Sequence, residues 1–239
     1  MRLGPLAPRP APSDDVATAL TAAAAALGQR PAVTVLLPEA RHEQGFASLA
    51  GWAAKGAHLL RDELGLGPGD VLGVDAPPSW PLAAVALAAW WAGVALGPIS
   101  PGRPAVVHEG RPDPGGEVWW LGDAVDGGPA AATWSGGEAW TSAVIPYPDR
   151  PPAPGAAPDL AALVDAAGAV TTQRELLAGW RDDAGVLGLR RDDAMTDLSD
   201  AVLGALAVRP LVTGAGTVVL EDTSSSHPVA TRERVTRWM

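Results

Sequence analysis

Residues 46–99 have the sequence FASLAGWAAKGAHLLRDELGLGPGDVLGVDAPPSWPLAAVALAAWWAGVALGPI, and this stretch decides the fold. Its first half carries apolar residues at helical spacing from Leu49 to Leu64. Ser48 is the expected N-terminal cap, and Gly65 follows the last periodic residue. We therefore predict an amphipathic helix at the start of the stretch.

The second half of the stretch alternates strands and a helix. A Gly-Pro-Gly-Asp turn at 67–70 leads into a predicted strand at 71–74, a helix at 80–92 and a strand at 94–96. A helix between two strands implies parallel pairing with a right-handed crossover, because the helix must pack back on the sheet. We predict an α/β protein, a three-layer sandwich with a mostly parallel sheet flanked by helices.

The rest of the chain contributes further short elements. Thr172 and Glu175 form a plausible capping box for one helix, and Asp14 and Asp15 stand at the start of another. The other predicted elements are helices at 16–27 and 201–208, strands at 33–37, 105–108, 118–121 and 160–164, a turn and strand at 212–220, and a short final helix at 231–238.

Composition restricts the function classes. The net charge of −10 disfavours nucleic acid and anionic membranes, since no run of basic residues offsets it locally. The chain has no cysteine, which excludes disulfides, thiolate catalysis and cysteine-bound zinc. The hydrophobic fraction of 47% suits a well-buried core rather than disorder.

No membrane or targeting segment is predicted. Residues 76–102 carry no charge, but prolines confine the apolar part to about fifteen residues from Leu82 to Leu96, short of the roughly twenty that span a bilayer. A buried helix that runs into a buried strand explains the stretch better. The proline-rich N-terminus lacks the apolar core of a signal peptide, so the expected location is the cytoplasm.

The chain is expected to form one domain. Residues 1–13 are predicted to be a flexible arm and 14–239 a single α/β domain. The proline-rich segment 146–158 is interpreted as a linker within the domain or a boundary between its halves.

The order of elements in 46–99 resembles the N-terminal part of AMP-binding acyl-CoA synthetases. In that family a helix leads to a GPGD-like turn, a strand, a proline-containing segment, and a helix that ends in a KAG-like step. Here Trp91 replaces the lysine of that step. Residues 168–179, 212–222 and 232–236 resemble later segments of the same part of the family. The resemblance implies the fold of the N-terminal subdomain of adenylate-forming enzymes, in a truncated and diverged relative.

The resemblance also implies chemistry that this sequence does not support. The family's phosphate loop is rich in Ser, Thr and Gly and ends in a lysine, because amides and a cation must hold the ATP phosphates. At the matching place this chain has Val164-Asp-Ala-Ala-Gly-Ala-Val170, where Asp165 adds a negative charge. The lone lysine of the chain, Lys55, is expected on the solvent face of an early helix. We therefore predict no catalytic, cofactor-binding or metal-binding residue and no cofactor.

Other patterns are better explained without a site. His42 and Glu43 begin an H-E-x-x pattern, but Phe46 stands where a second zinc-binding histidine is needed. Ser135 is not a nucleophile elbow, since Thr133 replaces the first glycine of G-x-S-x-G.

Four aspartates and a histidine near the C-terminus are weighed in the same way. Asp192 and Asp193 are expected in a turn, and Asp197 and Asp200 are expected to cap the next helix rather than to bind magnesium. His227 has no evident acid or nucleophile partner and is expected in a surface loop.

Ten tryptophans accompany a single tyrosine and a single phenylalanine. Most are expected in the core. In the pairs Trp90–Trp91 and Trp119–Trp120 the neighbouring side chains diverge, which allows one of each pair to lie at the surface. Such a residue is a half-covered packing residue, part of a partner interface or part of an acyl-like ligand groove.

Three functional hypotheses follow. The first is a non-catalytic domain, similar to AMP-binding enzymes, that binds a protein partner or a small ligand. The second is an enzyme of the acyl-CoA synthetase type that still binds a nucleotide or an acyl-adenylate and acts either alone or completed by another chain. The third is a structural or dimerising module whose exposed tryptophans make the contact.

Overall fold

The computed structural model describes residues 10–37, 41–108, 113–121, 137–150, 158–183, 185–190, 200–220 and 233–239. Residues 1–9 of the predicted arm and 151–157 of the predicted linker lie outside these ranges. The division into one arm and one domain therefore stays a prediction.

Seven α-helices and two π-helical segments occur in the described residues. The π-helical segments are Leu59–Glu63, which extends the second helix, and Gly204–Val208, which joins the sixth helix to the seventh. The helices are α1 (Val16–Leu27), α2 (Phe46–His58), α3 (Trp80–Ala92), α4 (Trp140–Ala143), α5 (Gln173–Ala178), α6 (Asp200–Leu203) and α7 (Arg209–Thr213).

The described strands form two sheets. The strands are β1 (Pro31–Leu36), β2 (Arg41–Gly45), β3 (Val71–Asp75), β4 (Ala95–Gly97), β5 (Ala105–His108), β6 (Val118–Leu121), β7 (Glu138–Ala139), β8 (Ala161–Val164), β9 (Val170–Thr172), β10 (Val186–Arg190), β11 (Thr217–Leu220) and β12 (Val235–Trp238). The first sheet has the order β12-β10-β11-β1-β2, and the second has the order β7-β6-β5-β3-β4-β8-β9.

Pairing is parallel in both sheets except at one end of each, where β2 runs antiparallel to β1 and β9 runs antiparallel to β8. The predicted α/β sandwich with mostly parallel strands is confirmed, with its strands divided between two sheets. The crossover predicted from residues 71–96 is present, since β3 pairs in parallel with β4 and α3 lies between them in sequence.

One hydrophobic cluster joins the inner faces of both sheets to the helices. Its centre is α3, in which all thirteen residues are buried. A helix that is apolar all round is stable only when protein covers every face, which explains why the stretch carries no charge. None of the helices in the described part of the chain is long and apolar enough to cross a membrane.

Three of the described helices, α1, α3 and α5, begin directly after a residue whose side chain caps them. The side chain of Asp15 accepts from the Thr18 amide and caps α1, and α3 ends at Gly93 in the left-handed conformation. The capping box of Thr172 and Glu175 is confirmed. The hydrogen bond from the Thr172 amide lowers the pKa of Glu175 below its usual value.

The predicted cap of α2 is wrong. The helix begins at Phe46, its cap is Gly45, and Ser48 instead donates to Gln44 Oε1 at 2.5 Å. The reason is that β2 ends at Gly45 and α2 begins at the next residue, where the chain packs against Gln29 in the turn after α1. A Cβ atom at position 45 would lie 2.8 Å from Gln29 Cα, so only glycine fits there.

The predicted final helix at 231–238 is also wrong. Residues 235–238 form β12, which pairs in parallel with β10. Gly188 on β10 makes this pairing possible, because a Cβ atom there would lie 2.2 Å from Cε3 of Trp238. The Trp238 ring therefore packs over a glycine 50 residues earlier in the chain, a contact without a local signal.

Two buried polar residues connect elements far apart in sequence. Gln173 is fully buried, accepts from the Val16 amide at 2.9 Å and donates to the Trp90 carbonyl at 2.9 Å, so it joins α1, α3 and α5. Arg209 is also fully buried. Its guanidinium pairs with Asp183 and donates to the carbonyls of Gly185 and Gly216, at the amino ends of β10 and β11.

Candidate functional site

The β8–β9 hairpin contains the segment that corresponds by resemblance to the family's phosphate loop. Its turn, residues 165–169, is closed by backbone bonds from the Asp165 amide to the Ala169 carbonyl and from the Gly168 amide to the Asp165 carbonyl, both at 3.0 Å. Gly168 has a φ of 84°, which glycine adopts without strain. The hairpin is thus a tight reversal at the carboxyl end of β8.

The Asp165 carboxylate fills the inside of this turn. Its Oδ1 accepts from the Ala167 amide at 2.9 Å and from the Ala169 amide at 2.7 Å. The amides of residues 165, 167, 168 and 169 therefore all donate within the turn. A turn that cradles phosphate needs its amides free to point at the anion, whereas here a carboxylate occupies that position.

The location of the turn is where α/β proteins usually bind ligands, outside the carboxyl ends of parallel strands. The carboxyl ends of β4 and β8 are adjacent, since a Cβ atom at Gly97 would lie 3.1 Å from the Val164 carbonyl oxygen. A second carboxylate contacts the hairpin, because Asp200 accepts from Thr171 Oγ1 at 3.1 Å. The charge that the described residues bring to this hairpin is negative, which opposes a polyphosphate.

The predicted position of Lys55 is wrong. Its side chain is half-buried, and Nζ donates to the carbonyls of Tyr147 at 2.6 Å and Ile145 at 3.4 Å. The segment 145–150 packs on the helix face that was expected to face solvent. Lys55 therefore donates to the backbone of the segment 145–150 and does not face open solvent.

The other sequence candidates do not assemble into a site. His42 lies on β2 opposite Val35, Glu43 pairs with Arg41 at 2.6 Å, and Phe46 is buried at the start of α2. No group of His, Asp or Glu side chains in the described ranges could hold a metal ion. Outside the described residues lie Thr133, Ser135, Asp192, Asp193, Asp197 and His227.

The tryptophan pairs diverge as predicted, yet all four rings are buried. Trp119 faces the main core and Trp120 faces a smaller cluster on the opposite face of the second sheet, so packing on both faces covers both rings. Trp90 and Trp91 are covered because α3 is buried all round. None of the tryptophans in the described ranges is exposed, and Trp134 lies outside those ranges, so the third hypothesis stays a prediction.

One feature that sequence patterns missed is a cleft of about 440 Å³ beside α1 and α7. Residues 10–13 form one wall, Ala19, Leu211 and Val212 form an apolar floor, and Arg181 and Asp182 lie at its polar side. Arg181 Nη2 donates to the Ser13 carbonyl at 2.5 Å and to Asp14 Oδ1 at 2.6 Å. The guanidinium thereby fixes residues 13 and 14 beside the cleft.

Asp14 gives a testable measure of this attachment. The hydrogen bond from Arg181 lowers the pKa of Asp14 below its usual 3.8, and Arg174 adds to the effect. A carboxylate with a lowered folded-state pKa contributes stability above its unfolded-state pKa, and the contribution is lost as the pH falls through the folded-state value. We expect Arg181→Gln to raise the pKa of Asp14 more than Arg174→Gln does, as followed by carboxyl NMR titration. A larger effect of Arg174→Gln would contradict this assignment.

Comparison with known sequences gives a short local match. No protein-family model matches the chain. A TIGR03089 family protein of Mycobacterium tuberculosis is 45% identical over 53 residues, which is 22% of each chain. A match of this extent shows a local similarity only.

Solved structures match over most of the chain. The acyl-CoA synthetase of Brucella canis superposes with a TM-score of 0.67 at 17% identity, over 88% of this chain and 44% of that protein. The inhibitor-bound N-terminal domain of FACL13 from Mycobacterium tuberculosis superposes with a TM-score of 0.68 at 15% identity, over 94% of this chain and 62% of that domain. The chain thus spans about half the length of these proteins. It has the fold of the N-terminal subdomain of adenylate-forming enzymes.

Proposed function

We propose that this chain is a non-catalytic domain, similar to AMP-binding enzymes, that binds a protein partner or a small ligand without activating it. The observation that carries the proposal is the turn at 165–169, in which the Asp165 carboxylate accepts from two amides at 2.9 and 2.7 Å. The chain then has the fold of adenylate-forming enzymes but does not carry out their reaction.

The chemistry of adenylate formation explains why this turn matters. Negative charge on the ATP phosphates must be held by amide donors and a cation while pyrophosphate leaves. In this chain the amide donors of the turn are occupied, and the carboxylate repels an incoming phosphate. Loss of one such electrostatic contact typically costs about 10²–10³ in rate, and several are missing together.

The lone lysine does not restore the missing cation. Lys55 Nζ is engaged with the Tyr147 and Ile145 carbonyls on the segment that packs against α2. A lysine that moved to a phosphate would leave these carbonyls without their donor. This engagement supports a structural role for Lys55.

A second candidate function is that of an enzyme. The chain spans 44% of the Brucella protein and 62% of the FACL13 domain. The alternative function is an enzyme of the acyl-CoA synthetase type that acts alone or is completed by another chain. On this alternative the domain would still bind a nucleotide or an acyl-adenylate. The two functions differ in whether ATP is bound and its pyrophosphate released.

An ATP–pyrophosphate exchange assay with a panel of carboxylic acids tests the proposal. We expect no exchange above background for the purified chain, alongside an active acyl-CoA synthetase as positive control. Asp165→Asn is the matched variant: it removes the charge while its Oδ1 still accepts from both amides, so exchange should stay absent. Measurable ATP-dependent exchange by the unmodified chain would overturn the proposal.

Thermal shifts with ATP, AMP, CoA and an acyl-adenylate mimic test which of these ligands the chain binds. A ligand at a hundredfold above its dissociation constant stabilises a protein by about 2.7 kcal/mol. We expect no shift with ATP. A shift with AMP or the mimic alone would identify the small ligand, whereas a clear shift with ATP would favour the enzyme alternative.

A further inference from the structure

The segment 145–150 is held on the surface of α2 and its π-helical extension by side chains. Lys55 bonds two of its carbonyls, and Tyr147 donates its hydroxyl hydrogen to Glu63. His58 reaches the Arg150 carbonyl, with Nε2 3.0 Å from the oxygen. Each anchor joins a helix side chain to a segment about 90 residues later in sequence.

The His58 ring lies between two hydrogen-bond acceptors. Nδ1 is 2.7 Å from Asp62 Oδ2, and Nε2 faces the Arg150 carbonyl. A carboxylate and a carbonyl oxygen only accept, and a neutral imidazole carries one N–H. Only the doubly protonated imidazolium can therefore donate to both neighbours at once.

The charges around the ring come from both packed elements. Asp62 is in direct contact with the ring, with Oδ2 2.7 Å from Nδ1. The hydrogen bond to Glu63 raises the pKa of Tyr147 to about 12, so the phenol stays protonated at neutral pH. The charged or titratable groups on these elements are Lys55, Arg61, Asp62 and Glu63 on the helix side, and Tyr147, Asp149 and Arg150 on the segment.

We propose that His58 is a proton-dependent lock that fastens the segment 145–150 to α2 when its ring is doubly protonated. On loss of one proton the remaining N–H stays on Nδ1, because the bond to the Asp62 carboxylate is charge-assisted and the stronger of the two. The Arg150 carbonyl then loses its donor. The ring thus bonds both neighbours only while both of its nitrogens carry protons, and the bond to the segment is lost with one proton.

Two measurements on the full chain test the lock. Long-range ¹H–¹⁵N spectra of the imidazole rings report which nitrogens carry protons, and His58→Gln assigns the signals among the four histidines. Hydrogen exchange of peptides that cover 145–150, corrected for the intrinsic pH dependence, reports attachment. We expect two protonated nitrogens at pH 5.5, the Nδ1–H tautomer at pH 8.5, and a loss of protection of about two- to tenfold between them.

Asp62→Asn is the decisive variant, at a position whose carboxylate is 60% exposed. The asparagine amide can donate to a bare Nδ1 while Nε2–H stays on the Arg150 carbonyl, so a neutral ring satisfies both neighbours. We expect protection at pH 8.5 to equal that at pH 5.5 in this variant, and His58→Gln to lower protection at both. Equal protection of the unmodified chain at both pH values, or an unchanged pH dependence in Asp62→Asn, would overturn the lock.

Discussion

Replacement of Asp183 by alanine should destabilise the protein by about 3–5 kcal/mol, the range seen when one partner of a buried ion pair is removed. The carboxylate of Asp183 pairs with Arg209, whose side chain is 0% exposed, and Arg237 approaches it at 3.2 Å. Without Asp183 the partners that the described residues leave to the guanidinium are the carbonyls of Gly185 and Gly216. A cation would then remain buried without a counter-charge, which is the source of the large cost.

Chemical denaturation followed by tryptophan fluorescence measures this effect, and the neighbouring Asp182 is the matched control. Asp182 is exposed, so Asp182→Ala should change the free energy of unfolding by no more than about 0.5 kcal/mol. The double variant Asp183→Ala with Arg209→Met removes both charges and should recover part of the loss. Equal effects of Asp183→Ala and Asp182→Ala would show that the buried pair contributes little.

Gly56→Ala should destabilise the protein by about 1–3 kcal/mol, the usual cost of forcing an extra methyl group into a close-packed core. A Cβ atom at position 56 would lie 2.6 Å from Trp140 Cζ2 and 2.7 Å from Ala88 Cβ. Both distances are far below van der Waals contact. The backbone of α2 therefore approaches α3 and Trp140 so closely that one of them must move.

Gly51→Ala on the same helix provides a control of opposite sign. A Cβ atom there would meet Asp149 Cβ at 3.7 Å, an ordinary contact, so the higher helix propensity of alanine should stabilise by up to about 1 kcal/mol. Thermal unfolding of both variants measures the difference. If Gly56→Ala is as stable as Gly51→Ala, the close packing of α2 on α3 is not as described.

Two of the accurately predicted helices carry local signals at their ends. Helix α3 spans Trp80–Ala92 as predicted, because the Ser79 side chain caps its start and Gly93 ends it in a conformation that glycine adopts readily. Helix α1 likewise spans Val16–Leu27, with Asp15 as its cap. These signals lie within a few residues of the structure they specify, so a single sequence reveals them.

The features that were missed depend on partners far away in sequence. Residues 235–238 form a strand because β10 offers an edge with space above Gly188 for Trp238. Lys55 is covered because the segment that contains Ile145 and Tyr147 returns to its helix. Neither long-range contact is indicated by the residues that neighbour it in sequence.

The candidate site shows the same division. The absence of hydroxyls and a lysine from 164–170, and the presence of Asp165, were evident from composition alone. That the carboxylate accepts from the amides of Ala167 and Ala169 was decided only by the turn geometry of the hairpin. A missing residue type can be read directly, whereas the use of backbone donors depends on conformation.

The amino-acid sequence by itself determined the α/β class, the parallel crossover around α3 and the absence of lysine from residues 164–170, because these follow from short-range periodicity, turn residues and composition. Tertiary structure alone decided the two-sheet division, the burial of Arg209 against Asp183 and the position of His58 between Asp62 and the Arg150 carbonyl. The physical reason is that hydrogen bonds and ion pairs form between groups that only chain closure brings within about 3 Å of each other.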